Sequence, residues 1–269
     1  MKGVAKSALD TKGHSAILQG MAAKNSQCRL CGQVRPLCRS HIVPDFVYAP
    51  IKNEKGQILA IGRNVKKVQT GYFEQILCQQ CETLLSGYES KFKQVWMNTI
   101  PPDFSHLSTE PPNDIIRVEV PDYDSFKLFH LSVLWRAAAS STFKLEPDIT
   151  LGPYDQQIAS MLLNHDPGQP GDFPFLGTVN LDRKKRPVAT VSPLAKGTGR
   201  FEERYQYYLM SYAYCDWVFI VARPGPQWLV DLEQKCRQER MFLLLAVPHT
   251  QSKSFNLSVD VIRQLRRLG

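Results

Sequence analysis

Cys28-Arg29-Leu30-Cys31-Gly32 and Ile76-Leu77-Cys78-Gln79-Gln80-Cys81 decide how this chain is read, because the two Cys-x-x-Cys pairs enclose Ser40-His41-Ile42-Val43-Pro44. Zinc takes four thiolates in a tetrahedron, and a two-residue gap lets one tight turn present two sulfurs to the same ion. Gly32 permits the positive φ that turns backbone N–H groups towards bound thiolates. The quartet Cys28, Cys31, Cys78 and Cys81 is therefore expected to hold a structural zinc. Redox use would need only one pair beside a βαβ pattern, which the sequence lacks. A competing set stays open, since Cys38-Arg39-Ser40-His41 repeats the gap and makes Cys28, Cys31, Cys38 and His41 a possible Cys₃His site.

Working outward, 269 residues with 43% hydrophobic content suffice for a sizeable core and suggest two domains. Seven cysteines, four of them in close pairs, argue against an extracellular disulfide scaffold and for a reducing compartment. Lys2 and Lys6 are followed by Asp10 and polar residues, so no signal peptide is expected, and there is no apolar run long enough to span a membrane. A cytoplasmic protein is the expectation. Of the remaining cysteines, Cys215 reads as a small buried hydrophobe, and Cys236 less clearly so.

The net charge of +8 is unevenly distributed. Residues 1–97 carry 14 Lys/Arg against 6 Asp/Glu, whereas residues 98–269 carry 19 of each. A basic module beside a neutral partner is what phosphate-backbone binding requires, because Lys and Arg contacts release condensed counterions. A merely solvated basic face gives the same composition. Arg39, Arg63, Lys66 and Lys67 are the candidate nucleic-acid contacts.

The expected order is a flexible basic arm over 1–24, a zinc module over 25–100, a proline-rich linker over 101–121 and an α+β partner or sensor domain over 122–269. Within the module, a strand carries His41 and a helix opens at the second knuckle, with Glu82, Leu85, Tyr88, Glu89, Phe92, Val95 and Trp96 at helical spacing. Residues 46–51 and 57–69 are expected to form a hairpin around Lys55-Gly56. Beyond the linker, a core helix is expected over 125–143, a second helix over 154–163, and strands over 175–181, 188–191, 204–214, 217–222 and 241–247. A short helix from Pro226 and a terminal helix over 259–268 complete the reading, giving a mostly antiparallel sheet.

A knuckle, a Ser-His-Ile-x-Pro strand and a Leu-Cys-x-x-Cys helix start together resemble the HNH nucleases of the His-Me finger group, over residues 28 to about 95. The resemblance implies a ββα-metal module in which His41 is general base on the attacking water. It also implies a divalent cation, Mg²⁺ or Mn²⁺, that stabilises the developing phosphorane and the leaving oxygen. Imidazole suits the base role because it ordinarily titrates near neutrality. Three positions depart from the family pattern. Ser40 stands where Asp is usual, Phe73 (beside Glu74) stands where the central Asn is usual, and Glu82 replaces the helix histidine. A carboxylate binds hard cations through oxygen, so Glu82 is the candidate catalytic ligand, with Ser86 and Glu89 on the same helix face.

The expected function is a metal-dependent endonuclease acting on DNA, and the resemblance implies an effector of bacterial antiviral defence restrained until triggered, with the α+β domain expected to sense an activating ligand, dimerise into an oligomer or dock a partner protein. The alternative is a catalytically degenerate zinc module that binds nucleic acid or protein. No phosphate-cradling loop or nucleophile elbow occurs, which argues against intrinsic ATP use and serine hydrolysis.

Overall fold

The computed structural model describes residues 25–61, 65–100, 104–107, 114–200, 204–221 and 225–251. The expected arm over 1–24, Arg63 and the expected terminal helix over 259–268 lie outside them.

The first half begins with β1 (Asn25–Gln27) and β2 (Val34–His41), followed by the short helix α1 (Asp45–Tyr48) and one 3₁₀ turn (Ala49–Ile51). The hairpin β3 (Ile58–Ile61) and β4 (Val65–Val68) then leads to β5 (Phe73–Cys78) and the long helix α2 (Gln79–Thr99). β1, β2 and β5 form an antiparallel sheet in that order, and β3 pairs only with β4.

The expected hairpin around Lys55-Gly56 is corrected on two counts. Residues 45–51 are helical rather than extended, because Pro44 precedes the first turn and Pro50 sits at its 3₁₀ continuation, where a missing N–H costs nothing. Gly56, at φ +69°, belongs to a local turn in which Asn53 Oδ1 accepts from the N–H groups of Lys55 and Gln57, so the hairpin itself comes later. Gly71 brings the chain back to β5, and any β-carbon there would lie 2.3 Å from the Tyr48 ring.

In the second half, β6 (Ile115–Glu119) precedes the core helix α3 (Tyr123–Ala139) and α4 (Asp155–Asn164). There follow β7 (Phe175–Leu181), β8 (Ala195–Arg200), β9 (Arg204–Tyr212), β10 (Cys215–Ile220), α5 (Gln227–Gln238) and β11 (Met241–Pro248). The sheet order is β6-β11-β7-β10-β9-β8, antiparallel throughout except where β11 runs beside β7. The chain is thus mixed α and β with a mostly antiparallel sheet.

Asp122 caps α3 by accepting from the Ser125 N–H at 3.0 Å. β9 and β10 turn through Ala213 and Tyr214, both at positive φ, as a two-residue hairpin demands. Two sequence expectations differ from what is observed. Residues 188–191 make no strand, Val188 giving a single N–H to Asn180 O, and the strand at that edge is β8. Ile115–Glu119, within the expected linker, forms β6 and pairs with β11.

One continuous apolar core runs from Cys28 to Ala246. α2 is the element common to both halves. Its Phe92 ring stacks on Phe129 of α3 at 3.8 Å, its Trp96 indole N–H donates to Ala213 O at 2.9 Å, and its Tyr88 hydroxyl donates to Leu162 O at 3.0 Å. Among the described residues no helix is long and apolar enough to cross a membrane.

Candidate metal centre and adjoining site

The first knuckle closes through Cys28 N–H to Gln33 O and Gly32 N–H to Cys28 O, both 2.9 Å, with Gly32 at φ +72°. Arg29 N–H donates to Ile76 O at 2.9 Å, which brings the second knuckle alongside, and Cys78 N–H points at Cys28 Sγ at 3.3 Å. The ligand atoms of Cys28, Cys31, Cys78 and Cys81 consequently lie within 4.8 Å of one another, with Cys31 and Cys78 sulfurs 3.8 Å apart. Four thiolates at zinc distances of about 2.3 Å in a tetrahedron need sulfur separations of about 3.8 Å. This quartet can therefore hold a metal ion such as zinc.

Burial pushes the Cys28 thiol up, but N–H groups of Cys31, Cys78 and Leu30 outweigh it and bring the thiol down to about 7. Burial and the neighbouring sulfurs push Cys81 up, and burial also raises Cys31. Only a cation would let all four ionise side by side. Cys38 stands apart from the quartet, its thiol donating to Gln79 Oε1 at 3.4 Å, so the alternative Cys₃His set is not the one gathered.

His41 ends β2, opposite Phe73 on β5, and is half-buried. Register slips between Cys38 and Ser40, where Gln75 and Ile76 on β5 face the single residue Arg39. Side chains alternate along β2, so Arg39 and His41 share one face and Cys38 and Ser40 the other. On the outer face the Arg39 guanidinium lies 3.4 Å over the Phe73 ring, and His41 meets that ring edge-on at 6.4 Å. On the inner face Ser40 is fully buried, and its hydroxyl has no hydrogen-bond partner.

Glu82 lies in the first turn of α2, close enough to Cys38 that its charge helps burial to raise that thiol. Its Oε2 is likewise buried and unpartnered. Glu89, two turns further on, is committed to Arg136 of α3 at 2.7 Å, and Ser86 is exposed. Lys66 and Lys67 are exposed on β4. Sequence reasoning left out two further residues. Arg136 is buried and donates to His41 O at 2.8 Å, and Glu74 is gripped by Ser140, Ser141 and Thr142 just past α3. Neither stands near its partners in sequence, so no local spacing marks them.

Compared with protein-family models, curated proteins and solved structures, the chain finds no match.

Proposed function

We propose that the chain is a metal-dependent HNH-like endonuclease that hydrolyses DNA phosphodiester bonds. The observation that carries the reading is that two oxygens are orphaned, Ser40 Oγ on the residue before His41 and Glu82 Oε2 in the first turn of α2, each buried without a protein partner. A buried carboxylate oxygen with no donor is costly, and a cation is the partner its chemistry favours. The order β2, β5, α2 supports the ββα arrangement that the resemblance implies.

In this reading His41, half-buried at the end of β2, takes the proton from the attacking water. Glu82, with Ser40 as a weaker oxygen donor, would hold Mg²⁺ or Mn²⁺, which supplies charge stabilisation for the phosphorane. Arg39 meets the backbone beside the scissile phosphate, and the exposed Lys66 and Lys67 supply non-specific attraction.

The test is cleavage of supercoiled plasmid with and without Mn²⁺. His41→Ala is expected to abolish cleavage while zinc content and the thermal transition stay at wild-type values, and cleavage retained in that variant would overturn the assignment. Wild-type protein that binds DNA but never cleaves it would favour the degenerate module. The Phe73 ring against His41, at the position where the family places asparagine, is the observation on that side.

A further inference from the structure

Arg136 has no reason in packing alone to be where it is. It lies in the last turn of α3, among the buried Leu131, Val133, Leu134 and Trp135, and only 1% of it is exposed. A guanidinium taken out of water is stabilised only when its donors are well matched, and an aliphatic residue would fill the same space at lower cost. Its donors go to two places across the helix boundary. Nη1 reaches His41 O at 2.8 Å and Glu89 Oε1 at 2.7 Å, and the remaining nitrogens turn back to Ser132, Nε to the carbonyl at 3.3 Å and Nη2 to the hydroxyl at 3.4 Å. One side chain from the second half of the molecule therefore ties the last residue of β2 to the third turn of α2.

We infer that Arg136 is a positioning residue for His41, fixing the strand end through its carbonyl so that the imidazole keeps one orientation. The inference rests on the nuclease reading for its catalytic consequence, but the positioning itself is a statement about β2. His41 O is the last carbonyl of that strand, and the next amide, that of Ile42, donates to Tyr72 O at 3.0 Å, so both sides of the residue are held. Nη1 alone carries the two N–H groups that meet the carbonyl and the carboxylate, while Nε and Nη2 tether the rigid fork to Ser132; an ammonium could meet the first two but would lose that tether. The arrangement also commits Glu89 to a cation already built into the protein. That leaves Glu82 as the carboxylate of α2 with an oxygen to offer a metal ion. α3 thereby becomes part of the site.

The test uses the full-length, zinc-loaded protein and the variants Arg136→Met and Arg136→Lys. Amide hydrogen exchange at Ile42, with α2 amides as reference, is expected to quicken about tenfold or more in Arg136→Met and less in Arg136→Lys, reporting local opening of the strand end. Mn²⁺-dependent cleavage is expected to lose kcat by about 10- to 100-fold with KM little changed, as misplacement of a reacting group does. Arg136→Lys should recover part of it. Unchanged exchange at Ile42 in folded Arg136→Met would overturn the inference whatever the activity. So would loosened exchange with full kcat, since the strand end would then not govern the imidazole. If Arg136→Met does not fold, the same two criteria apply to Arg136→Lys. Absence of cleavage by the wild type would refute the nuclease reading instead, and the exchange measurement would still decide the positioning.

Discussion

Glu74, on β5 directly across from Ser40, sets how the wall behind the site responds to acid. Burial alone would raise its carboxyl, but donors from Ser140, Ser141 and Thr142, including backbone N–H groups at 3.0 Å, outweigh that and hold it down to about 2. A folded-state value below the ordinary 4.5 means the contribution is complete above 4.5 and is lost as the pH falls through about 2. Glu74→Gln should therefore lower stability near pH 7 by about 1–3 kcal/mol and flatten the loss between pH 4.5 and 2, as read from urea unfolding at each pH. A variant as acid-sensitive as the wild type would show that other carboxylates dominate. The four cysteines were legible in the sequence because each pair lies within one turn. Glu74 and Arg136 were not, since their partners stand 66 and 95 residues away.

Among the elements, α3 shows both what pattern reveals and what it hides. Its apolar sequence marks a helix without a solvent face, and the structure buries it on every side. It stops at Ala139, short of the expected Phe143, because Ser140 turns its hydroxyl to the Thr142 and Phe143 N–H groups and Glu74 takes those of Ser141 and Thr142. Pattern also gave no hint of β8, which has Gly197 where a β-carbon would meet the Tyr207 ring of β9 at 2.4 Å. Within α3, Lys127 is fully buried, and burial lowers its pKa against the opposing pull of Glu233 on α5, 2.6 Å away. Glu233 also accepts from Arg237 at 3.0 Å and from the Gly171 N–H at 2.9 Å. Lys127→Met leaves that carboxylate buried with one cation fewer and should cost about 3 kcal/mol, the low end for a broken buried pair because Arg237 remains. Adding Glu233→Met should restore part of the loss, measured by denaturant midpoints, because the pair is then replaced by apolar volume. A double variant worse than the single would mean the carboxylate's bonds to Gly171 and Arg237 matter more than its pairing with Lys127.

At the scale of the molecule, the charge asymmetry and the packing pull in different directions. The positive surplus lies before residue 98, as expected of a self-contained basic module, yet the core does not divide at that point. The proline cluster after residue 100 reads as a linker because composition reports local chain stiffness. Whether the helix before it buries its apolar stripe within its own module or against something distant is tertiary information. Here the stripe of Tyr88, Phe92 and Trp96 is buried against Leu162, Phe129 and Ala213, and Arg136 crosses the same seam to reach His41. A chain stopped after residue 100 would expose those three rings, each worth about 1.5–3 kcal/mol of burial, and a module of roughly 75 residues has little stability in reserve. Zinc would still fasten the two knuckles, since their ligands and the β2–β5 pairing lie before the break. The truncated protein is therefore expected to bind zinc but to lack a cooperative thermal transition and to bind a hydrophobic dye, and to show no Mn²⁺-dependent cleavage. A cooperative transition with full cleavage would establish that the basic module is complete without α3, and would remove Arg136 from the site.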